Sequence, residues 1–257
     1  MSKIVCGDAL IELAKLPKDS IDLVVTSPPY DNLRAYNGYS WDFEGIAKEL
    51  VRVLKPGGVI VWVIGDATVK GSETGTSFKQ ALYFKELGLN LHDTMIYKKK
   101  NPIPLTHNRY EQCFEYMFVF SNGKPKTFNP IMENCIFAGK DVNNKRTFYK
   151  TGESKTSKSH TNAPIAEQKI KQNIFEYPLS GGKKKFLHPA PFPEQLAHDH
   201  IISWSNPGDI VLDPFNGSGT TTKIARQLAR DYIGIDISQE YCDIATKRLS
   251  NQSTTKE

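Results

Sequence analysis

Long apolar runs are missing from this 257-residue chain. The longest, Val59–Ile64, falls far short of the ~20 residues that a membrane-spanning helix needs. The opening MSKIVCGDAL has no apolar core of about 7–15 residues behind a basic start, so no secretory leader is expected. Cysteine is scarce. Cys6, Cys113, Cys135 and Cys242 are too few for a disulfide scaffold, and none are spaced as a zinc pair. They are expected to be small buried hydrophobes in a reducing cytoplasm. Six histidines raise the question of a metal. His198 and His200 lie two apart with no acidic helix partner, which reads as the start of a surface helix, and no metal site is expected. A hydrophobic content of 39% excludes disorder of the whole chain.

A strong overall charge is also lacking, since the net is only +5. The charge is local instead. Residues 121–187 hold 13 Lys/Arg against 5 Asp/Glu, an excess of +8 that leaves the remaining chain at −3. Such an excess suits a polyanionic partner; a solvated lysine-rich loop would carry it equally well.

The apolar pattern repeats a strand–helix plan. Lys3–Cys6 reads as a strand, with helical spacing after it at Leu10, Leu13 and Leu16. Ile21–Thr26 is a β-branched strand that stops at Ser27-Pro28-Pro29, because two prolines cannot continue a central strand. Ile46, Ala47, Leu50, Val51 and Leu54 have helical spacing. That helix is expected to end at Lys55-Pro56-Gly57-Gly58, ahead of the strand Val59–Ile64. A helix around Phe78–Leu87 follows, then strands around Leu91–Tyr97 and Tyr116–Phe120. Periodicity fails over residues 121–187, which read as a basic insertion with little core of its own. After a proline-rich turn at His188–Pro193 come helix Glu194–Trp204, strand Asp209–Leu212, helix Thr220–Ala229, strand Tyr232–Ile235 and helix Ser238–Leu249. The organisation is thus 1–120, the insertion 121–187, 188–250, and a polar tail 251–257. The fold class is α/β, a doubly wound, mainly parallel sheet that binds ligands at the carboxyl ends of its strands.

Three special sequences fall at such ends: Gly7-Asp8, Thr26–Tyr30 and Asp213-Pro-Phe-Asn-Gly-Ser-Gly219. The last follows a strand and opens a helix, where glycines allow a tight turn and the helix start favours negative charge. It lacks the Gly-Lys-Ser/Thr ending of a phosphate loop and the third glycine of the dinucleotide fingerprint. Asp236 ends the next strand, where an acidic residue can accept from both ribose hydroxyls. The combination suits a nucleoside without a pyrophosphate, such as S-adenosylmethionine. Thr26-Ser27-Pro28-Pro29-Tyr30 adds two acceptors in set directions, the Ser27 hydroxyl and the Pro28 carbonyl, which suit a planar amino group. Tyr30 supplies a face for a base.

On these residues the chain resembles the amino-group DNA methyltransferases of bacteria and phages. The likeness is to the class with permuted motifs, in which Ser/Asp-Pro-Pro-Tyr comes first, the target-recognition region second and Asp-Pro-Phe-x-Gly-x-Gly last. Leu54-Lys-Pro-Gly-Gly58, Lys100-Asn-Pro-Ile-Pro104 and His188-Pro-Ala-Pro-Phe-Pro-Glu194 extend the resemblance. It implies a Rossmann-like, circularly permuted methyltransferase sheet, with 1–120 as its catalytic half and 188–250 as its cofactor half. The cofactor strand Asp209–Leu212 would then lie beside Tyr232–Ile235, with Lys3–Cys6 and Ile21–Val25 next in space. It further implies that Asp8 contacts the adenine of S-adenosylmethionine, and that the segment of His188 and Phe192 closes over its methionine end. Thr26, Asp213, Phe215, Gly217, Ser218, Gly219, Thr220 and Asp236 complete the expected cofactor site; Ser27, Pro28, Pro29 and Tyr30 form the catalytic motif. Lys100, Arg109, Lys145, Arg146, Lys183, Lys184 and Lys185 are candidate DNA contacts.

The implied reaction is direct methyl transfer to a flipped base in duplex DNA. Serine in the first motif position goes mostly with cytosine N4 in this family and aspartate with adenine N6, so cytosine is favoured and adenine is the alternative. Cytosine C5 chemistry needs a cysteine after proline, and the four cysteines follow Val, Gln, Asn and Tyr. RNA or protein-glutamine methyltransferases usually place the cofactor loop first. A non-catalytic DNA-binding relative would lose that loop. The implied partner is duplex DNA; whether a cognate restriction endonuclease accompanies the chain is open, as are monomer and homodimer.

Overall fold

The computed structural model describes residues 2–29, 41–100, 109–139, 164–178 and 193–250, with the backbone alone of 145–150 and 153–158. Tyr30, His188, Phe192, Lys183, Lys184, Lys185 and the tail 251–257 lie outside the described residues, and Lys145 and Arg146 are described by backbone only.

Along the chain come β1 (Lys3–Cys6), α1 (Ala9–Ala14), β2 (Ile21–Thr26), α2 (Phe43–Val53) and β3 (Leu54–Ile64). A small hairpin of β4 (Thr68–Val69) and β5 (Ser72–Glu73) precedes α3 (Thr76–Glu86), β6 (Asn90–Lys99) and β7 (Phe114–Ser121). Then follow β8 (Met132–Asn134), β9 (Lys145–Lys150), β10 (Glu153–Lys158), β11 (Gln168–Ile170) and β12 (Ile174–Tyr177). The chain continues with α4 (Glu194–Trp204), β13 (Ile210–Asp213), α5 (Thr220–Gln227), β14 (Asp231–Asp236) and α6 (Gln239–Ser250). Among the described residues, no helix is long and apolar enough to cross a membrane.

Eight strands form one sheet in the order β1-β14-β13-β2-β3-β7-β6-β12. Neighbours are parallel except at β7, which runs antiparallel to both β3 and β6. The sheet is therefore mixed. The apolar runs of β6 and β7 look the same in either direction, so periodicity does not reveal the reversal. β13 and β14, late in the chain, lie between β1 and β2 in space. β2 is buried along its whole length, as a strand flanked on both sides and covered on both faces must be.

Local chemistry sets the element ends. Asp8 caps α1 by accepting from the Ile11 N–H at 3.1 Å, and Asp42 caps α2 through the Gly45 N–H at 3.0 Å. α2 turns Ile46, Ala47, Leu50 and Val53 into a core that includes Leu13, Ile21, Ile60, Trp62, Phe84 and Phe120. Each fully buried Leu, Ile, Val or Phe among them contributes about 1.5–3 kcal/mol by leaving water. The helix does end before Lys55, but no separate turn follows. β3 starts at once at Leu54, and residues 55–58 bulge opposite β2, with Leu54 facing Ile21 and Val59 facing Leu23. Gly57 takes φ 78° there, and a Cβ on it would lie 2.9 Å from Lys126 Cβ. At the amino ends of the strands, Asp22 Oδ2 accepts from Lys55 Nζ at 2.6 Å and from the Ile210 N–H at 3.0 Å.

Two compact units are present, residues 130–172 and the rest. The smaller holds two antiparallel pairs, β8 with β11 and β9 with β10. The basic span 121–187 is thus divided. Its β12 belongs to the larger unit as an edge strand parallel to β6, burying Phe175 and Tyr177. Two expectations fail on burial. Only Cys242 is a buried cysteine, its thiol pushed up to about 12 by desolvation; Cys6 is exposed, and Cys113 and Cys135 are half-buried. His200 is a core residue rather than a surface one. Its ring stacks on Phe175, Nε2 lies 3.2 Å from Met117 Sδ, and desolvation pushes its pKa down to about 4. It sits on the helix face that packs inward, which a spacing of two residues does not reveal.

Candidate active site

The carboxyl ends of β1, β14, β13 and β2 lie side by side, and each carries a sequence singled out above. Gly7 N–H donates to Asp236 O at 2.9 Å, which joins the ends of β1 and β14. Asp236 then reaches across to the glycine loop. Its Oδ2 accepts from the Gly217 N–H at 2.7 Å and its Oδ1 from the Ser238 N–H at 2.9 Å. Burial holds this carboxyl above its ordinary range against those two bonds. Each oxygen still has a second lone pair.

Asp213 faces inward. It is 1% exposed. Its carboxylate accepts from Thr26 Oγ1 at 2.7 Å, from the Phe215 N–H at 3.1 Å and from Thr221. Desolvation pushes its pKa up to about 6, and those donors moderate the rise. The single Thr221 hydroxyl proton is shared between this carboxylate and Val25 O, which lies 3.1 Å from Oγ1. One buried carboxylate thus ties the glycine loop to the residue before Ser27. Gly217 and Gly219 take φ 50° and 80°, which side-chain-bearing residues rarely adopt. The Asn216 amide lies against Gly234, where a Cβ would come within 2.6 Å of it. Asn216 Oδ1 accepts from Thr222 Oγ1 at 3.0 Å, fastening the loop to the first turn of α5.

Ser27 and Pro29 are half-buried and Pro28 is buried at the end of β2. Phe215 meets Trp41 edge to face at 5.1 Å. Asp8 lies just past the end of β1, and Thr220 opens α5 with little exposure. Among the candidate DNA contacts, Lys100 is exposed while its N–H donates to Tyr177 O at 2.9 Å. Arg109 is engaged by the β4–β5 hairpin, donating to Gly71 O at 2.7 Å, with Glu73 3.9 Å away. Thr221, Asn216 and Trp41 were not singled out from the sequence. The threonine run after Gly219 was the available signal for Thr221; Trp41 reaches the loop only through the fold.

Residues 21–247 match the DNA methylase family of N6/N4 methyltransferases, and the chain belongs to that family. It is 55% identical over 239 residues to the orphan methyltransferase M.BamHII of Bacillus amyloliquefaciens, covering 90% of this chain and 89% of that one. The fold is shared with the Thermus thermophilus protein TTHA0409, solved in complex with S-adenosyl-L-methionine. The TM-score is 0.68 at 24% identity, over 100% of this chain and 96% of that one. It is shared too with the cytosine-N4-specific PvuII DNA methyltransferase, at TM-score 0.70 and 22% identity, over 96% and 86% of the two chains.

Proposed function

We propose that this chain transfers a methyl group from S-adenosylmethionine to the exocyclic amino nitrogen of a flipped base in duplex DNA, and that the base is cytosine, methylated at N4. The observation that carries the reading is the 2.7 Å bond from Thr26 to Asp213. It holds the Ser27-Pro28-Pro29 strand end against the glycine loop, and transfer between two bound groups requires that adjacency.

The donor set suits the cofactor. Asp236 offers one further lone pair on each oxygen, matched to two ribose hydroxyls, and Asp8 stands on the adjoining strand end for the adenine. The loop has no phosphate-binding lysine, as a cofactor without phosphate needs none. When bound, the cofactor supplies the methyl group on an electrophilic sulfonium centre. The Ser27 hydroxyl and the Pro28 carbonyl accept the two amino N–H groups, drawing the nitrogen out of conjugation and aiming its lone pair. Pro28 and Pro29 keep those acceptors from turning, and Tyr30 stacks on the flipped base. Asp213 acts from behind the loop, by holding Thr26 and Phe215 in place.

The chain order of Ser27–Tyr30, basic span and glycine loop supports a permuted motif arrangement, as does the place of β13 and β14 between β1 and β2. Serine at position 27 supports cytosine over adenine. The description of M.BamHII as an orphan supports an enzyme that works without a cognate endonuclease. Mass spectrometry of nucleosides from DNA methylated in vitro tests the reading. N4-methylcytosine is the expected product; N6-methyladenine would overturn the base assignment, and no methylated nucleoside would overturn the activity.

A further inference from the structure

We infer that Arg248, in the last turn of α6, is a positioning residue for the cofactor loop. The inference rests on reading residues 213–219 as that loop. α6 meets the loop along one face, through Ala245 and Arg248, which are three residues apart and so neighbours on the helix surface. At Ala245 the contact is steric: a Cβ on Gly219 would come within 2.7 Å of the Ala245 Cβ. At Arg248 it is polar. Its NH1 donates to Ser218 O at 2.6 Å and to Ser218 Oγ at 3.0 Å, and its NH2 donates to Glu194 Oε1 at 2.7 Å. The same Glu194 oxygen accepts from Lys223 Nζ at 2.6 Å.

The Ser218–Gly219 peptide is therefore held at both ends. Its carbonyl is gripped by Arg248, and the Gly219 N–H donates to Asn216 O at 2.8 Å. The other arm of the guanidinium reaches the first residue of α4, so one side chain joins the loop, α4 and α6. Stability does not account for the arrangement. The Arg248 and Glu194 side chains are 29% and 47% exposed, and ion pairs of that exposure add little to stability. A planar fork of donors on a loop with two left-handed glycines sets geometry instead. Arg248 orients Ser218 so that the loop receives the cofactor without first rearranging. Glu194 acts through Arg248, by aiming the guanidinium.

Calorimetric titration of S-adenosylmethionine into the full chain and steady-state kinetics on DNA test this together. Arg248→Ala is expected to bind the cofactor about tenfold more weakly, or about 1.4 kcal/mol. KM for the cofactor should rise in step, while kcat at saturation stays within about twofold and Tm moves little. Arg248→Lys keeps the charge but cannot fork, and should recover only part of the loss. It also serves as the folded test should the alanine variant not fold. Glu194→Gln should fall between the wild type and Arg248→Ala. Wild-type cofactor affinity in Arg248→Lys and Arg248→Ala would overturn the inference, as would a fall in kcat at unchanged affinity. A wild-type chain that binds no S-adenosylmethionine would overturn the cofactor reading instead.

Discussion

Asp22 and Asp213 are buried carboxylates on adjacent strands, one at an amino end and one at a carboxyl end, and the protein treats them differently. Asp22, at the amino end of β2, faces the Lys55 ammonium at 2.6 Å. Asp213, at the carboxyl end of β13, is given two threonine hydroxyls and a peptide N–H. Those donors are neutral and do not cancel the cost of burial, so the pKa of Asp213 climbs to about 6. A buried charge with a cation beside it is a means of joining strands. A buried charge left with dipoles alone is costly, and it persists here where two loops must be kept in register.

Mutating each aspartate separates the two uses. Asp213→Ala strips the acceptor from the Thr26 hydroxyl and the Phe215 N–H at once, each bond to a charged group being worth about 1.5–3 kcal/mol. Its affinity for S-adenosylmethionine is expected to fall by at least ~100-fold. Asp22→Ala should lower Tm yet leave that affinity within about twofold of wild type. Equal losses of affinity in calorimetric titrations of the two would erase the distinction.

Acidity sharpens it further. The Asp213 carboxyl, at about 6 in the folded chain against an ordinary 3.8, contributes stability that is complete below the lower value and lost as pH rises through the upper. His200, at about 4 against an ordinary 6.5, contributes stability that is complete above 6.5 and lost as pH falls through 4. Each amounts to about 3 kcal/mol, and the slopes oppose one another between those limits. Urea titrations of Asp213→Asn should show stability falling toward acid, as the His200 slope is exposed. Those of His200→Leu should show it rising toward acid. The same trend in both variants would remove the assignment.

Smaller effects lie on the DNA side. Tyr30→Ala should weaken productive base binding by roughly 1–3 kcal/mol while sparing cofactor affinity, and Tyr30→Phe should keep most activity. An inactive phenylalanine variant would transfer the role from the ring face to the hydroxyl. Replacing Lys183, Lys184 and Lys185 with glutamine should weaken binding to all duplexes alike and flatten its salt dependence, with the preferred sequence unchanged. An unaltered salt slope would take that segment out of the interface.

Most strands and helices were legible because β-branched runs such as Ile21–Thr26 and helical spacings such as Ile46–Leu54 follow from burial alone. The strand ends that carry Gly7-Asp8, Ser27-Pro28-Pro29 and Asp213–Gly219 were legible because glycine and proline mark special backbone. Strand direction at β7 was not, since a buried strand carries no arrow. β12 was hidden because an edge strand with alternating burial looks like its polar surroundings. The inward turn of Asp213 and the grip of Arg248 on Ser218 depend on residues 187 and 30 positions apart, and no local pattern reports such pairs.

The strand order also bears on how the chain is made. Among the described residues β1 pairs with β14 alone, Lys3 opposite Ile233. At about 5–20 residues per second of synthesis, β1 leaves the ribosome roughly 10–45 s before its partner exists. β2 likewise emerges with one flank open until β13 arrives. The nascent chain therefore carries exposed strand edges until β13 and β14 have been made, and those two later strands fill the place between β1 and β2. A ribosome that stops short of residue 210 leaves a product whose β2 and β3 can pair but whose central gap cannot close, a natural substrate for chaperones and proteases.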